Sequence, residues 1–414
     1  MNNTAWGIAL AQLAEAANIA GLQTETLEML SEPQRVLIVN LPVKLDNGKT
    51  KFFTGYRVHH NHALGQIQGG TRFSSNETLD DIKALAIWMT VKNSLNGIPA
   101  GGGKGGVCCD PGVLSRAELE RVCRAYIRSI APLIGPGVDF PGADIGTGAD
   151  TQSWMLDEWE QVHGMRHEPS AVSGKSVALG GSQGRAAATG LGVSLAVRET
   201  CKATGWDIKS LRVAIQGYGK VGSWAARVLD SFGAKIVAVS DVHGAIYKEA
   251  GFNLSELNRY MEKYKTLKDF PGAQAITNQE LMACPCDVLI PAAVQGVVTG
   301  EVANNIKAKL VVEGANGPTT PSAEKILAER GIIVVPDILA NGGGTVIAYL
   351  ERVQGTYGYY WVEKEVHSKY DEMFTETFNI VYRTAEVEKI SMRMAAWVRA
   401  LRRVEEAVKA RGWV

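Results

Sequence analysis

Residues 211–241 read "LRVAIQGYGKVGSWAARVLDSFGAKIVAVSD". The run "LRVAIQ" predicts a strand, "GYGKVG" a tight turn, "KVGSWAARVLDSF" a helix and "AKIVAVSD" a second strand. Within the turn Gly217 permits the sharp bend, Gly219 lets backbone approach a diphosphate, and Gly222 lets the helix pack on its strand. Tyr218, Lys220 and Val221 complete the loop, and the helix N-terminus faces the phosphates. Asp241 closes the second strand about twenty residues after the glycines, where an acid accepts hydrogen bonds from the adenosine ribose. This predicts NAD, with NADP as the alternative; no arginine flanks Asp241 to hold a 2′-phosphate. An ordinary strand–turn–helix without ligand is the plainer reading, and the full fingerprint in its strand and helix context weighs against it.

Working outward, "CDVLIPAA", "AKLVVEGA" and "GIIVVPD" predict further strands separated by helical segments. That alternation predicts a parallel sheet covered on both faces. The N-terminal part mixes elements. "RVLIVNLPVKL" and "KFFTGYRVHH" flank Asp46-Asn47-Gly48, a hairpin signal. A helix is expected from about Thr78 to Ser94 with Leu79, Ile82, Leu85, Ala86 and Met89 on one face. Ser115 and Glu118 form a capping box. Trp6, Leu10, Leu13 and Ala17 recur at helical spacing near the start, and the tail from about Gly344 reads as helical. The fold class expected is α/β. An N-terminal α/β substrate and oligomerisation domain covers 1–184, with 345–414 packing back on it. A Rossmann dinucleotide-binding domain covers 185–344.

The chain has 414 residues, 46% apolar and 21% charged, with formal net charge zero. Nothing in that balance points to nucleic acid or an anionic membrane. No apolar run is long enough to span a bilayer, and the start lacks the basic and apolar segments of a signal peptide. The six cysteines form no disulfide framework and read as reduced thiols of a cytoplasmic protein. In "VHHNH", His59, His60 and His62 lack a Cys, Asp or Glu to complete a metal site, so no metal is expected.

"IPAGGGKGG" sets Lys104 among five glycines. It is not a phosphate-binding P-loop, which needs Ser or Thr after the lysine where this chain has Gly105. A redox enzyme acting on a carbon–nitrogen bond needs a base poised near neutral pH, and burial or a neighbouring cation lowers a lysine's pKa toward it. Lys92 is the candidate second cation. The plain alternative, a flexible loop with a solvated lysine, explains neither the flanking apolar residues nor the strand that follows. Asp144, in "FPGADIGTG", can relay protons for such a base, although alone it would read as a turn aspartate.

"GGTRF", "LAIWMTVKNSLNGIPAGGGKGGV", "GADIGTG", "GRAAATGLGV", "IQGYGKVG", "VVEGANGPTTP" and "PDILANGGG" resemble the glutamate/leucine/phenylalanine/valine dehydrogenase family. The match runs from about residue 30 to the C-terminus, and the tail resembles the glutamate dehydrogenase branch. The resemblance implies oxidative deamination of an L-amino acid to the 2-oxo acid and ammonia. It implies Lys104 as the lysine activating water, Lys92 as the α-carboxylate ligand, and Asp144 as the proton shuttle. Asn316 and Asn341 would line the nicotinamide and substrate end, and Arg185 and Thr189 fall in the segment joining the lobes. It further implies a homohexamer whose lobes close during turnover.

Four positions depart from the pattern. Glutamate-specific members read "KGG" where this chain has Gln68-Gly69-Gly70, and a "VSYFEW" pattern appears as Ile347-Ala348-Tyr349-Leu350-Glu351-Arg352. The lysine and serine that grip a γ-carboxylate are thus Gln68 and Ala348. Gly342 replaces an alanine and Lys220 a common asparagine. These changes predict that neutral or differently shaped side chains compete with glutamate. Two other readings are a 2-hydroxy acid dehydrogenase, which no histidine motif supports, and a catalytically silent NAD-binding regulatory subunit. Retention of Lys92, Lys104 and Asp144 argues against the second.

Overall fold

The computed structural model describes residues 4–414. They form two compact units. The first comprises residues up to Arg185 together with Thr345–Ser368 and Trp397–Val414, and the second comprises Ala186–Gly344 and Lys369–Ala396.

The first unit holds β1 (Arg35–Lys44), β2 (Thr50–Asn61), β3 (Ile67–Ser74), β4 (Gly101–Cys108) and β5 (Asp139–Ala143) in the order β1-β2-β4-β3-β5. β1 and β2 form the expected hairpin, with Leu45 N–H donating to the Lys49 carbonyl at 2.8 Å across the turn. β2 and β4 are antiparallel, while β3 pairs in parallel with β4 and β5. The helix Leu79–Leu95 begins with a Thr78–Asp81 capping box and lies against β4.

That helix is not one-sided, as the sequence predicts. Ala84, Ile87 and Val91 are buried along with Ile82 and Ala86, because the N-terminal helix Ala5–Ala20 packs on it as well. The N-terminal helix in turn buries Ala9, Leu13, Ala16 and Ala17 rather than Trp6 and Leu10. Small side chains there let two helices approach closely, and Trp88 Nε1 donates to Gln12 Oε1 at 2.9 Å beside them.

The glycines of β4 are packing sites. Alternation along a strand puts Gly102, Lys104 and Gly106 on one face and Gly103 and Gly105 on the other. A Cβ at Gly102 would run into the Thr90 backbone nitrogen, and one at Gly106 would lie 2.6 Å from Ile82 Cδ1. On the opposite face a Cβ at Gly105 would meet the Tyr126 hydroxyl and lie 3.0 Å from Arg57 Nη1. Through that gap Arg57 reaches Asp139 with two hydrogen bonds, at 2.7 and 2.5 Å, and His59 Nε2 joins at 2.8 Å. Breaking such a buried pair costs about 3–5 kcal/mol, because it strands a charge.

The second unit carries a seven-stranded sheet. It consists of β6 (Arg212–Gln216), β7 (Lys235–Asp241), β8 (Gly244–Tyr247), β9 (Gln274–Ile276), β10 (Val288–Pro291), β11 (Leu310–Val312) and β12 (Ile333–Val335). Their order is β12-β11-β10-β6-β7-β8-β9. The expected parallel sheet covers β12 through β7. β8 and β9 are an antiparallel extension, because Val242-His243 turns the chain back at once, pairing Asp241 with Gly244. β10 and β11 are buried throughout, and β6 is buried beyond Arg212, as the continuous apolar runs require.

The tail departs from the expected arrangement, in which all of 345–414 returns to the first unit. Residues 369–396 cluster with the second unit. Arg198 forks onto Asp371 at 2.7 and 2.5 Å, and Arg393 spans Glu313, Glu324 and Asp337 at 2.8–2.9 Å. From Trp397 onward the chain belongs to the first unit, where Arg403 Nη1 donates to the Ser94 and Ile98 carbonyls at 2.8 and 3.1 Å. Among the described residues no helix is long and apolar enough to cross a membrane.

The β4 packing makes a direct prediction. Gly102→Ala forces the helix Leu79–Leu95 off the strand and lowers stability by about 3 kcal/mol or more, at the upper end of overpacking costs. Urea unfolding followed by circular dichroism measures it. An unchanged midpoint would mean that the helix retreats freely and that β4 is not tightly clamped.

Candidate active site

Lys104 projects from the middle of β4 between two glycines and is only 4% exposed. Its ammonium is ion-paired with Asp144, and Arg72 Nε stands 3.8 Å from the other oxygen of that carboxylate. The Asp144 loop is locally fixed. Ile145 N–H donates to Asp144 Oδ1 at 2.6 Å, and the Thr147 hydroxyl accepts from Asp144 N–H at 2.8 Å while donating to the Thr71 carbonyl at 2.9 Å. Gly70 makes room for it, since a Cβ there would lie 3.0 Å from Asp144 Cβ. Burial alone would raise the Asp144 carboxyl. Attraction to Lys104 and Arg72, with the hydrogen bonds from Lys104 and Ile145, outweighs burial and holds it at about 2. Glu77, beside Arg72, is instead pushed above its ordinary value by burial. Lys92 lies half-buried on the helix packed against β4. Lys104 therefore meets the carboxylate of Asp144, beside which the sequence reading set it.

The positions expected to line the substrate, Gln68, Gly69 and Ala348, are equally defined. Gln68 is 2% exposed, its Nε2 donates to the Thr345 carbonyl at 3.0 Å, and its Oε1 is buried without a partner. Gly69 is demanded by packing, since a Cβ there would collide with the Gly103 carbonyl. Ala348 is buried on the helix Gly343–Tyr357.

In the second unit the three fingerprint glycines take distinct roles. Gly217 has φ +98°, and a Cβ on it would lie 2.8 Å from Ala293 Cβ. A Cβ on Gly222 would lie 2.9 Å from Ile215 Cγ2, whereas one on Gly219 would meet nothing within 4 Å. The helix Lys220–Ser231 starts at Gly219 with no side-chain cap and no acid in its first turn. Open space in front of uncapped N–H groups fits a diphosphate. Tyr218 is buried, its hydroxyl donating to Asn258 Oδ1 at 2.9 Å, while Lys220 is exposed. Asp241 ends β7, yet its carboxylate already accepts from His243 N–H at 2.7 Å, Thr266 Oγ1 at 3.1 Å and Leu267 N–H at 2.6 Å. A carboxylate has about four acceptor positions, so these leave room for a ribose hydroxyl.

Asn341 Nδ2 donates to Asn316 Oδ1 at 2.8 Å, which brings two expected site residues together. Thr189 lies on the helix Ala188–Thr204 of the same unit. Arg185 was expected with the dinucleotide domain. It belongs instead to the first unit, where Nη1 donates to Glu351 Oε2 at 3.2 Å. Glu351 is fully buried and also accepts from Lys175 Nζ at 2.7 Å, a network the sequence did not reveal because its members lie far apart in the chain. Among the described residues no group of three or more His, Cys, Asp or Glu is gathered to hold a metal. His59 serves Asp139, and His60 bonds Thr90 Oγ1 and the Leu30 carbonyl at 2.7 and 2.8 Å.

Comparison with known proteins agrees along nearly the whole chain. The Glutamate/Leucine/Phenylalanine/Valine dehydrogenase family model matches residues 180–412, and the Glu/Leu/Phe/Val dehydrogenase dimerisation domain matches residues 33–161. The NAD-specific glutamate dehydrogenase of Clostridioides difficile is 44% identical over 411 residues, covering 98% of this chain and 97% of that protein. The catabolic NAD-specific glutamate dehydrogenase of Bacillus subtilis is 42% identical, covering 97% and 94%. The crystal structure of glutamate dehydrogenase from Peptoniphilus asaccharolyticus superposes with TM-score 0.91 at 38% identity, covering 99% of this chain and 100% of that one. The hetero-hexameric glutamate dehydrogenase from Thermus thermophilus, in its Leu-bound form, gives TM-score 0.92 at 36% identity, covering 99% and 98%. With the lysine–aspartate pair, the dinucleotide loop and these likenesses together, the chain belongs to the glutamate/leucine/phenylalanine/valine dehydrogenase family.

Proposed function

We propose that this protein catalyses the reversible NAD-dependent oxidative deamination of L-glutamate to the 2-oxo acid and ammonia. The observation that carries the chemistry is the buried Lys104–Asp144 ion pair on the glycine strand. Likeness to NAD-specific glutamate dehydrogenases over nearly the full length supports glutamate and NAD, and favours neither a neutral-side-chain substrate nor a silent regulatory subunit.

Bound NAD would supply the acceptor for a hydride from the substrate α-carbon. Residues 217–222 and the N-terminus of the helix Lys220–Ser231 would hold its diphosphate, and Asp241 its adenosine ribose. Lys92 receives the α-carboxylate. Loss of hydride leaves an iminium carbon that water must attack, and Lys104, once its ammonium has released a proton, takes the proton from that water. Asp144, ionised at neutral pH, carries protons to and from the amino group, and it does so as its pairing with Lys104 loosens. Glycines on both sides of Lys104 let the helix Leu79–Leu95 close over the strand and keep water from the ammonium.

The same reading makes the working form a homo-oligomer, a hexamer, in the cytoplasm. Exposed Val36 and Ile38 on the edge strand β1, with Phe52 on β2, support self-association through this part of the chain. An amino-acid panel with NAD, followed at the nicotinamide absorbance, tests the assignment, and absence of turnover on every amino acid refutes it.

Lys104→Ala is expected to lower kcat at least about a hundredfold, the scale of a lost general base, with NAD affinity nearly intact. Asp144→Asn acts similarly, since an amide cannot carry the proton. Turnover retained in Lys104→Ala removes this lysine from the mechanism. For the cofactor, wild type binds NAD more tightly than NADP, and Asp241→Ala narrows the gap in calorimetric titration. A wild type that prefers NADP overturns the role given to Asp241.

A further inference from the structure

Against the upward push of burial, Lys104 and Arg72 hold the Asp144 carboxyl at about 2, yet a group that carries protons must be able to take one up. Lys104 can withdraw its charge by losing a proton. Arg72 cannot, because a guanidinium stays protonated in proteins. Its field leaves Asp144 only when the side chain turns to another anion.

Glu77 is placed to be that anion. It ends the turn between β3 and the helix Leu79–Leu95, directly before the N-cap Thr78. Arg72 on β3 pairs in register with Gly106 on β4, and Gly106 shares a face with Lys104. The Glu77 side chain lies over that same face, its Cγ 3.1 Å from where a Cβ on Gly106 would stand. It is 3% exposed, and its Oε1 is buried with no hydrogen-bond partner. Arg72 Nε stands 3.8 Å from Glu77 Oε2 and 3.8 Å from Asp144 Oδ1, and it donates a hydrogen bond to neither. A shift of about 1 Å brings it to the length of a charge-assisted hydrogen bond with either carboxylate. Lys104, Asp144, Arg72 and Glu77 thus alternate in charge along one face of the sheet. Tyr56 from β2 and Asp81 from the first turn of the helix are the other titratable groups near Glu77. Burial pushes the Glu77 carboxyl above its ordinary value against the pull of Arg72, so its ionised form gains as Arg72 draws near.

We propose that Glu77 is a positioning residue for the deamination: it draws Arg72 away as Asp144 takes a proton from the substrate's amino group, and releases it as Asp144 gives that proton up. This rests on the dehydrogenase reading above. The proton passes from nitrogen to an Asp144 oxygen, Glu77 neither gains nor loses one, and Arg72 stays charged throughout. Without the Glu77 charge the row carries a net positive charge, Arg72 remains on Asp144, and Asp144 holds a proton only weakly. The same excess charge eases the loss of the Lys104 proton.

The test compares wild type with two variants of the full chain. Glu77→Gln keeps the shape and removes the charge, and Glu77→Asp keeps the charge on a shorter stem. Glu77→Gln is expected to lower kcat for glutamate about tenfold or more, the scale of one charge-assisted hydrogen bond, with KM within about twofold of wild type. The acid limb of its kcat profile moves down by about half a pH unit or more, because Lys104 gives up its proton more readily. Glu77→Asp recovers most of both. In parallel, the pH dependence of Lys104 amidination by methyl acetimidate, read by peptide mass spectrometry, follows the lysine without turnover, and its midpoint falls in Glu77→Gln. Unchanged kcat and an unmoved acid limb in Glu77→Gln overturn the proposal. So does a loss of kcat with the acid limb unmoved and a lowered urea midpoint that Glu77→Asp shares, which leaves Glu77 a purely structural residue. Should wild type oxidise no amino acid, the dehydrogenase reading fails by itself. The labelling then decides the charge coupling, which a shifted midpoint upholds and an unshifted one overturns.

Discussion

Strand β4 is clamped from both faces, and the placing of the Lys104–Asp144 ion pair depends on that clamp. On one face the helix Leu79–Leu95 comes so close that Gly102 and Gly106 have no room for a Cβ. On the other, Arg57 and Tyr126 lie against Gly105. Lys104 is the one long side chain in the row Gly102, Lys104, Gly106. Its ammonium can leave the strand only along the path its neighbours keep open, and at the end of that path stands Asp144. Rigidity of this kind places a reactive group more accurately than a loop does.

Charge is buried in the first unit mostly as satisfied pairs. Arg57 with Asp139, and Lys175 with Glu351, are sealed against solvent and hydrogen-bonded on several sides. They fix how distant segments meet, Arg57 linking β2 to β5 and Lys175 anchoring the loop before the unit boundary to the helix Gly343–Tyr357. The Lys104–Asp144 pair differs because Asp144 is partly exposed and Arg72 stands beyond hydrogen-bond range. A pair with one side open can exchange partners when an ammonium or carboxylate arrives, which a sealed pair cannot do.

The dinucleotide loop was legible in the sequence because its determinants are neighbours. Gly217, Gly219 and Gly222 act within one turn, and the strand that precedes them is continuous and apolar. The burial of Lys104 beside Asp144 was also legible, but the reason for its glycines was not. Thr90, Ile82, Tyr126 and Arg57 come to β4 from other segments, and no local pattern reports which Cβ they would strike. The same limit explains the N-terminal helix, whose buried face is rich in alanine. Large apolar residues dominate a periodicity reading, whereas close helix packing selects small ones. The division of the tail rests on Arg198–Asp371 and on Arg393 with its three acids, pairings between residues as much as 173 positions apart. Asp241 was placed correctly at the end of its strand, while its engagement by Thr266 and Leu267 needed the chain to return from some 25 residues further on.

Lys104 and Ala348 therefore sit on elements with different tolerance for change. Lys104 is on a strand where even a methyl group at the neighbouring alternate positions collides with backbone or core side chains. Ala348 stands on the helix Gly343–Tyr357, where it departs from the glutamate-specific pattern without disturbing the helix, since alanine favours it.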